Sequence, residues 1–378
     1  MLRLVVVIMV VAATAGAQPE GGVLCQGYWQ SEDDAVAQLR RMGRTWRTRA
    51  DWEERAARVR QQIIRGARLD PLPARTPLNA KIHSVRDEDG YSVANVSFEP
   101  FPGYCVGGNI YRPRGVDGPL AGVLSPHGHY RGDDGGGRFR PSAQIRHATL
   151  ARMGAVVLTW DMIGWGDSGH GGWEHGHPQA LSLQLWTSIR ALDLLLEQDG
   201  IDPTRIGCTG SSGGGTQTFL LTAVDERVTA SAPVVMVAAH FFGGCKCESG
   251  LPIHKTAALE TNNAEIAALC APRPLLVVSD GADWTKNSPL VEMPYIRTVF
   301  ATYGRQDVCE GVHFAEEEHD YGPSKRAAAY RFFEQHLRLS GPPAEAGIRI
   351  EPHAAQLAFD AAHPRPGHAL PPNSIVKW

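Results

Sequence analysis

The chain predicts an α/β fold, a mostly parallel central sheet with helices on both faces, preceded by a helical extension. Three observations carry that reading. From about residue 120 onward, short apolar runs alternate with longer amphipathic ones, the rhythm of a parallel sheet covered on both sides. The runs at 120–125, 155–160 and 274–279 are almost continuously apolar, as strands buried on both faces are. One further run ends in a glycine-rich turn, Gly210-Ser211-Ser212-Gly213-Gly214, that opens into a helix-like segment.

The elements follow in order. Arg3, an apolar run at 4–13 and Ala15-Gly16-Ala17 form a secretory signal peptide over residues 1–17, cut before Gln18. The run is too short to span a bilayer, so the expectation is a secreted or periplasmic protein with no membrane association after cleavage. Residues 18–79 form the helical extension: across 31–69, Trp46, Trp52, Val59 and Ile63 recur at roughly helical spacing, giving one or two amphipathic helices outside the main core. The main domain spans 80–340. It opens with β-like runs at 93–98 and 106–111, each closed by Pro or Gly. Strands are then expected at 120–125, 155–160, 205–209, 228–237, 274–279 and 308–314. Helices are expected at 144–153, 180–197, 216–224, 295–303 and 324–339, the second with Leu185, Ile189, Leu192 and Leu196 on one face. A glycine-rich loop at 131–138 and a lid-like insertion at 240–269 should lie above the strand ends, where such sheets bind ligands. Residues 341–378, rich in Pro and Ala, read as an irregular tail.

With 378 residues, 43% hydrophobic and 20% charged, the composition excludes disordered and collagen-like classes. The net charge of -3 lacks the basic excess that nucleic-acid binding needs, so no nucleic acid is expected as a partner. Cys25, Cys105, Cys208, Cys245, Cys247, Cys270 and Cys309 are odd in number and scattered, so at least one is free unless it pairs between chains. A disulfide from one member of Cys245-Lys246-Cys247 to another cysteine is expected, because no further ligand stands near the pair at zinc spacing. His127 and His129, with Asp133, Asp134, His147, His170, His175 and His177, also match no recognised zinc spacing. Neither a metal nor another cofactor is expected. The stretch 161–168 lacks the lysine of a phosphate-binding loop and the dinucleotide glycine spacing, which leaves it the role of shaping a turn.

The chemistry centres on Ser212. Gly210-Ser211-Ser212-Gly213-Gly214 fits G-x-S-x-G, the sharp strand-to-helix turn that exposes a nucleophilic serine. Such a serine needs a base, and the base needs an orienting acid, in the chain order serine, acid, histidine. The strand at 274–279 runs into Asp280-Gly281-Ala282-Asp283, where Asp283 is the preferred acid and Asp280 its substitute. His319 follows the next strand as the base. Gly213 and His129 are the expected backbone N–H donors to an oxyanion. Trp165, Trp173 and Trp284 are candidates for an aromatic wall against a sugar ring.

On Pro126-His127-Gly128-His129, residues 161–168, 175–186 and 210–217, Asp283-Trp284-Thr285 and His319, the chain resembles the α/β-hydrolase superfamily over residues 80–340. Within it, the chain is similar to secreted bacterial esterases of the acetyl xylan esterase-like kind. The resemblance implies Ser212 as nucleophile, Asp283 as acid, His319 as base, and Gly213 with His129 as oxyanion donors. Glucuronoyl esterases carry an arginine after the nucleophile, where this chain has Gly213. They can also draw the acid from a loop where this chain has Glu248, which makes Glu248 an alternative acid. The expected activity is removal of an acetyl or similar small acyl group from a small-molecule or polysaccharide ester. Competing expectations are a glucuronoyl-type esterase, a serine peptidase of the prolyl-oligopeptidase type, a metal-dependent hydrolase and a non-catalytic carbohydrate-binding relative. The peptidase would need a propeller domain, which the residues before 80 cannot supply.

Overall fold

Alternate residues of the central strands feed two different cores. Val156, Leu158, Leu275 and Val277 face one, while Val157, Leu276 and Val278 face the other, as the period of two along a strand requires. In the computed structural model, the described residues are 30–116, 118–133 and 135–378. The expected signal peptide, its cleavage site, Cys25 and Asp134 lie outside them.

Two helices come first, α1 (Glu32–Gly43) and α2 (Arg49–Gly66), the second opened by a reciprocal capping box between Thr48 and Asp51. Strands β1 (Lys81–Glu88), β2 (Tyr91–Phe101) and β3 (Tyr104–Pro113) form an antiparallel meander. Then follow β4 (Leu120–Leu124), α3 (Pro141–Arg152), β5 (Ala155–Trp160), the short α4 (Gly166–His170) and α5 (Ala180–Leu196). The second half comprises β6 (Ile201–Ser211), α6 (Gly213–Val224), β7 (Ala230–Val234), α7 (Lys246–Ser249), α8 (Asn263–Ala268), β8 (Leu275–Asp280), α9 (Glu292–Thr302), β9 (Cys309–Phe314) and α10 (Pro323–Leu337). The nine strands lie in the order β1-β2-β3-β5-β4-β6-β7-β8-β9. From β5 to β9 every pairing is parallel, so those strands share one C-terminal edge.

Helices α3 and α10 cover one face of the sheet and α5, α6, α8 and α9 the other. The N-terminal helices were expected outside the main core, and the structure corrects this. Leu39, Met42, Trp52, Val59 and Ile63 join the same buried cluster as α5, α6, α8 and α9. An ion pair between Arg55 and Glu265, 2.6 Å long and buried at both ends, fixes α2 to α8. Trp46 sits in the turn between the first two helices and packs edge-on against Trp52 at 5.2 Å. Strand β7 stops at Val234, short of the expected 237, because Val235 adopts φ 47° and leaves the strand.

Beyond α10 the chain wraps irregularly back over β2 and β3. Asn95 Nδ2 donates to the carbonyls of Ala355 and Leu357, and the Trp378 ring stacks on Phe101 at 5.1 Å. The glycine-rich loop is anchored by Arg138, whose fully buried guanidinium pairs with Asp161 and Asp167, each at 2.7 Å. Asp167 also accepts the backbone N–H groups of Ala358 and Phe359. The 161–168 stretch therefore does more than turn the chain: it ties two loops and the tail together. Among the described residues no helix is long and apolar enough to cross a membrane.

Candidate active site

Strand β6 delivers Ser212 to the C-terminal edge. Its φ of 56° and ψ of -127° are a conformation that L residues rarely adopt, held here by a backbone bond from Ser212 N–H to Val234 O at 3.1 Å. The elbow is tight enough that a Cβ on Gly214 would run into the carbonyl oxygen of Pro126. Glycine is what lets α6 approach the loop after β4. Ser212 is 9% exposed.

Asp283 and His319 come from the loops after β8 and β9. His319 Nδ1 lies 2.5 Å from Asp283 Oδ2, with the carboxylate buried and the imidazole partly open to solvent. The other carboxylate oxygen accepts from the Thr285 N–H at 2.5 Å and its hydroxyl at 2.6 Å, which orients the acid. The His319 ring packs against Trp284 at 4.5 Å and Tyr130 at 5.8 Å, and Phe241 backs Trp284 at 4.3 Å. Among the described residues no hydrogen bond links Ser212 to His319.

The two alternative acids stand elsewhere. Asp280, three residues before Asp283, is fully buried and 3.3 Å from Lys325 Nζ. Burial first, and then the neighbouring Asp283, push its carboxyl up to about 6. Glu248 is buried behind the elbow helix, accepting from Thr216 Oγ1 at 3.0 Å and Gly244 N–H at 2.9 Å. Burial raises its carboxyl as well. Neither hydrogen-bonds His319.

The loop after β4 carries the remaining groups. His127 is locked: its Nδ1 donates to Gly128 O at 2.9 Å and its Nε2 accepts from Met162 N–H at 3.1 Å. Burial pulls its pKa down to about 3, so it stays neutral in that role. The His129 ring lies directly over Gly213, where any Cβ would collide with it. That contact explains why glycine follows Ser212. Among the described residues, the N–H groups of Gly213 and His129 have no protein acceptor.

No protein-family model matches the chain. A solved structure named "Methylesterase BT1017" is 38% identical, covers 92% of this chain and 78% of its own, and superposes with a TM-score of 0.84. The chain belongs to the α/β-hydrolase serine esterases. Less similar solved structures share the fold alone: one is named "a putative acetyl xylan esterase", from Bacteroides fragilis NCTC 9343 (15% identity, TM-score 0.54, 75% of this chain and 82% of that one). Another is a glucuronoyl esterase from Solibacter usitatus (16%, 0.55, 77% and 94%). Among curated sequences, "Putative hydrolase YtaP" of Bacillus subtilis (strain 168) is 26% identical over 195 residues, 46% of this chain. The match spans 61% of that relative's length.

Two expectations for this esterase need correcting. Trp173 forms no wall, because it is buried in the core against Tyr104 at 4.9 Å. Trp165 is also buried, against His127 and His129, whereas Trp284 stands beside His319. The second correction concerns Cys245 and Cys247. They close a disulfide with each other and with no distant cysteine, while Cys105, Cys208, Cys270 and Cys309 are free and buried. Nor are they without neighbours of metal-binding type: His129 and His175 bring their Nε2 atoms to the pair. The other histidines of that third of the chain scatter. His147 bonds Ser125, His170 packs on His353, and His177 accepts from Gln179 N–H.

Phe241 and Tyr130 were missed from sequence. Phe241 lies in the insertion and Tyr130 in the histidine loop, neither in a periodic element, and nothing local distinguishes them from packing aromatics. Chain position relative to strand ends was the one signal available.

Proposed function

We propose that Ser212 is the nucleophile of this esterase, His319 its base and Asp283 the acid that orients His319. The observation that carries the reading is the His319–Asp283 bond at the same sheet edge as a serine held at positive φ. In this mechanism His319 Nε2 takes the Ser212 proton as Oγ attacks the ester carbonyl carbon. The oxyanion is received by the N–H groups of Gly213 and His129. His319 then protonates the leaving alcohol, and water, deprotonated by the same imidazole, releases the acid from Ser212. Catalytic hydrogen bonds often tighten only when substrate binds, so the absence of a Ser212–His319 bond in the free protein is compatible with these roles.

The ester we propose is the methyl ester of a carbohydrate carboxylic acid, releasing methanol. The 38% identical relative is named a methylesterase, which favours this over the acetyl group expected from sequence. Trp284, whose ring stands beside His319, offers a ring face to the sugar. The protein is proposed to act outside the cytoplasm on a small-molecule or polysaccharide ester, after loss of residues 1–17. The catalytic domain is proposed to span 80–340.

The test is a panel of methyl-esterified uronic-acid oligosaccharides, acetylated xylan and aryl acetates, assayed with wild type and Ser212→Ala. Methanol release that disappears in Ser212→Ala supports the proposal. Preferential acetate release would replace the methyl ester by the acetyl ester, and activity unchanged by the substitution would remove Ser212 from the chemistry.

A further inference from the structure

Four ligand atoms from three separate loops converge beside the elbow. His129 Nε2 lies 3.0 Å from His175 Nε2, 3.1 Å from Cys247 Sγ and 3.3 Å from Cys245 Sγ, and Cys247 Sγ is 3.3 Å from His175 Nε2. All four atoms fall within 4.8 Å of one another. Zinc bonds of about 2.0–2.1 Å to nitrogen and about 2.3 Å to sulfur, at tetrahedral angles, place ligand atoms about 3.3–3.7 Å apart. Those four distances are slightly shorter than in that shell, and the two sulfurs, bonded to each other here, must part as thiolates to complete it.

The histidine tautomer is already set for coordination. His175 Nδ1 donates to the carbonyl of Ile163 at 2.7 Å, so its proton is used there and its Nε2 lone pair points at the cluster. The cysteine loop is held in register by neighbours that are not ligands: Gly244 N–H on Glu248, Glu248 on Thr216, and Lys246 Nζ on the Gly176 carbonyl at 3.1 Å. Three of the four residues are half-buried and Cys247 is buried, which allows an ion in while withdrawing the sulfurs from bulk water.

We propose that Cys245 and Cys247, in their dithiol form, bind a zinc-class cation together with His129 and His175. Two thiol protons leave as the two thiolates bind, the imidazoles bind neutral, and no electron moves. The disulfide and the metal complex are alternative states of one cysteine pair. Because cysteines are made as thiols, metal capture during folding competes with oxidation. Two thiolates and two imidazoles are a soft, four-ligand set that leaves no open position, the pattern of a structural site. The metal's task is therefore to pin loops together. It would join the loop after β4, the loop between α4 and α5 and the insertion after β7, with the His129 ring fixed over Gly213. His129 and its fellow ligands are then positioning residues for the oxyanion donors. That last consequence rests on the esterase mechanism proposed above; binding of the ion does not.

The experiment uses the full chain, produced and purified under a phosphine reductant and then freed of it. Metal analysis should give about one zinc per chain. Replacement by Co²⁺ should produce a thiolate-to-cobalt charge-transfer band with tetrahedral d–d bands. Both should vanish in Cys245→Ser with Cys247→Ser, and metal affinity should fall at least tenfold in His175→Ala. Wild type provides the decisive measurement, because it does not depend on how the double variant folds. If its two thiols are titratable and it takes up no cobalt, or cobalt binds with no charge-transfer band, the site is overturned. A disulfide that resists reduction overturns it equally. Ser212→Ala should bind metal fully, which separates this site from the nucleophile. Stripping zinc with a chelator should lower kcat at least tenfold with KM nearly unchanged, restored by zinc; an unchanged kcat overturns the positioning role.

Discussion

Two flanks meet at Ser212, and they are built differently. On the β8–β9 side, Asp283 and His319 follow consecutive strands in the chain and are already bonded at 2.5 Å. On the β4–β5–β7 side, His129 meets His175 across 46 residues and Cys245 across 116. The first flank is assembled by neighbouring parallel strands, so chain order foretells it. The second is assembled by loops that reach over the elbow, and only the sheet order β5-β4-β6-β7 brings them together. In the proposed mechanism, proton transfer belongs to the first flank and the position of the oxyanion donors to the second.

Breaking the nucleophile should have the largest effect on either side. Ser212→Ala should lower kcat by at least about 10⁴-fold in a methanol-release assay. Next comes Asp283→Asn, expected to cost about 10⁴-fold by freeing the His319 tautomer. Asp280→Asn and Glu248→Gln should stay within about tenfold, since neither group hydrogen-bonds His319. A larger loss in Glu248→Gln than in Asp283→Asn would reverse the assignment of the acid.

Gly213→Ala probes where the flanks touch. Its methyl group would collide with the His129 ring, and a displaced oxyanion donor should cost about 100-fold in kcat. Adding His129→Ala keeps the backbone N–H and removes the collision, so the double variant should be less impaired than the product of the single effects. Simple multiplicativity would show that the two residues do not communicate through that contact.

The smallest effect concerns Glu292, at the start of α9, whose carboxylate accepts from Ala239 N–H at 2.8 Å just before the insertion begins. Burial raises its pKa from 4.5 to about 7. Between those values the folded chain holds a proton that the unfolded chain releases, so this group's contribution to stability falls as pH rises and levels off above pH 7. Glu292→Gln should remove that fall. Urea titrations should show the variant gaining about 1–3 kcal/mol on wild type between pH 4.5 and pH 7. A constant difference across that range would mean that Glu292 does not titrate there.

Much of the fold was readable because its signals are local. Continuous apolar runs marked the parallel strands, and G-x-S-x-G marked the elbow, since a strained turn flanked by a strand and a helix has few sequence solutions. Strand β1 is largely exposed, with Ile82 and Val85 facing outward, so it offered no apolar run to find. The aromatic wall failed at Trp173 because tryptophan in a loop reads the same whether a core or a substrate covers it.

By itself the sequence determined the α/β alternation, the G-x-S-x-G turn and the chain order Ser212, Asp283, His319. These follow from periodicity and from chain order along one sheet edge. The tertiary structure alone decided which of two aspartates, three residues apart, meets His319. Asp280 ends its strand fully buried beside Lys325, while Asp283 has cleared the strand and turned. It also decided that His129, His175, Cys245 and Cys247 share one corner of the molecule. Ligand spacing along a chain reports only what one loop can reach, whereas this corner is set by the order in which distant strands pair.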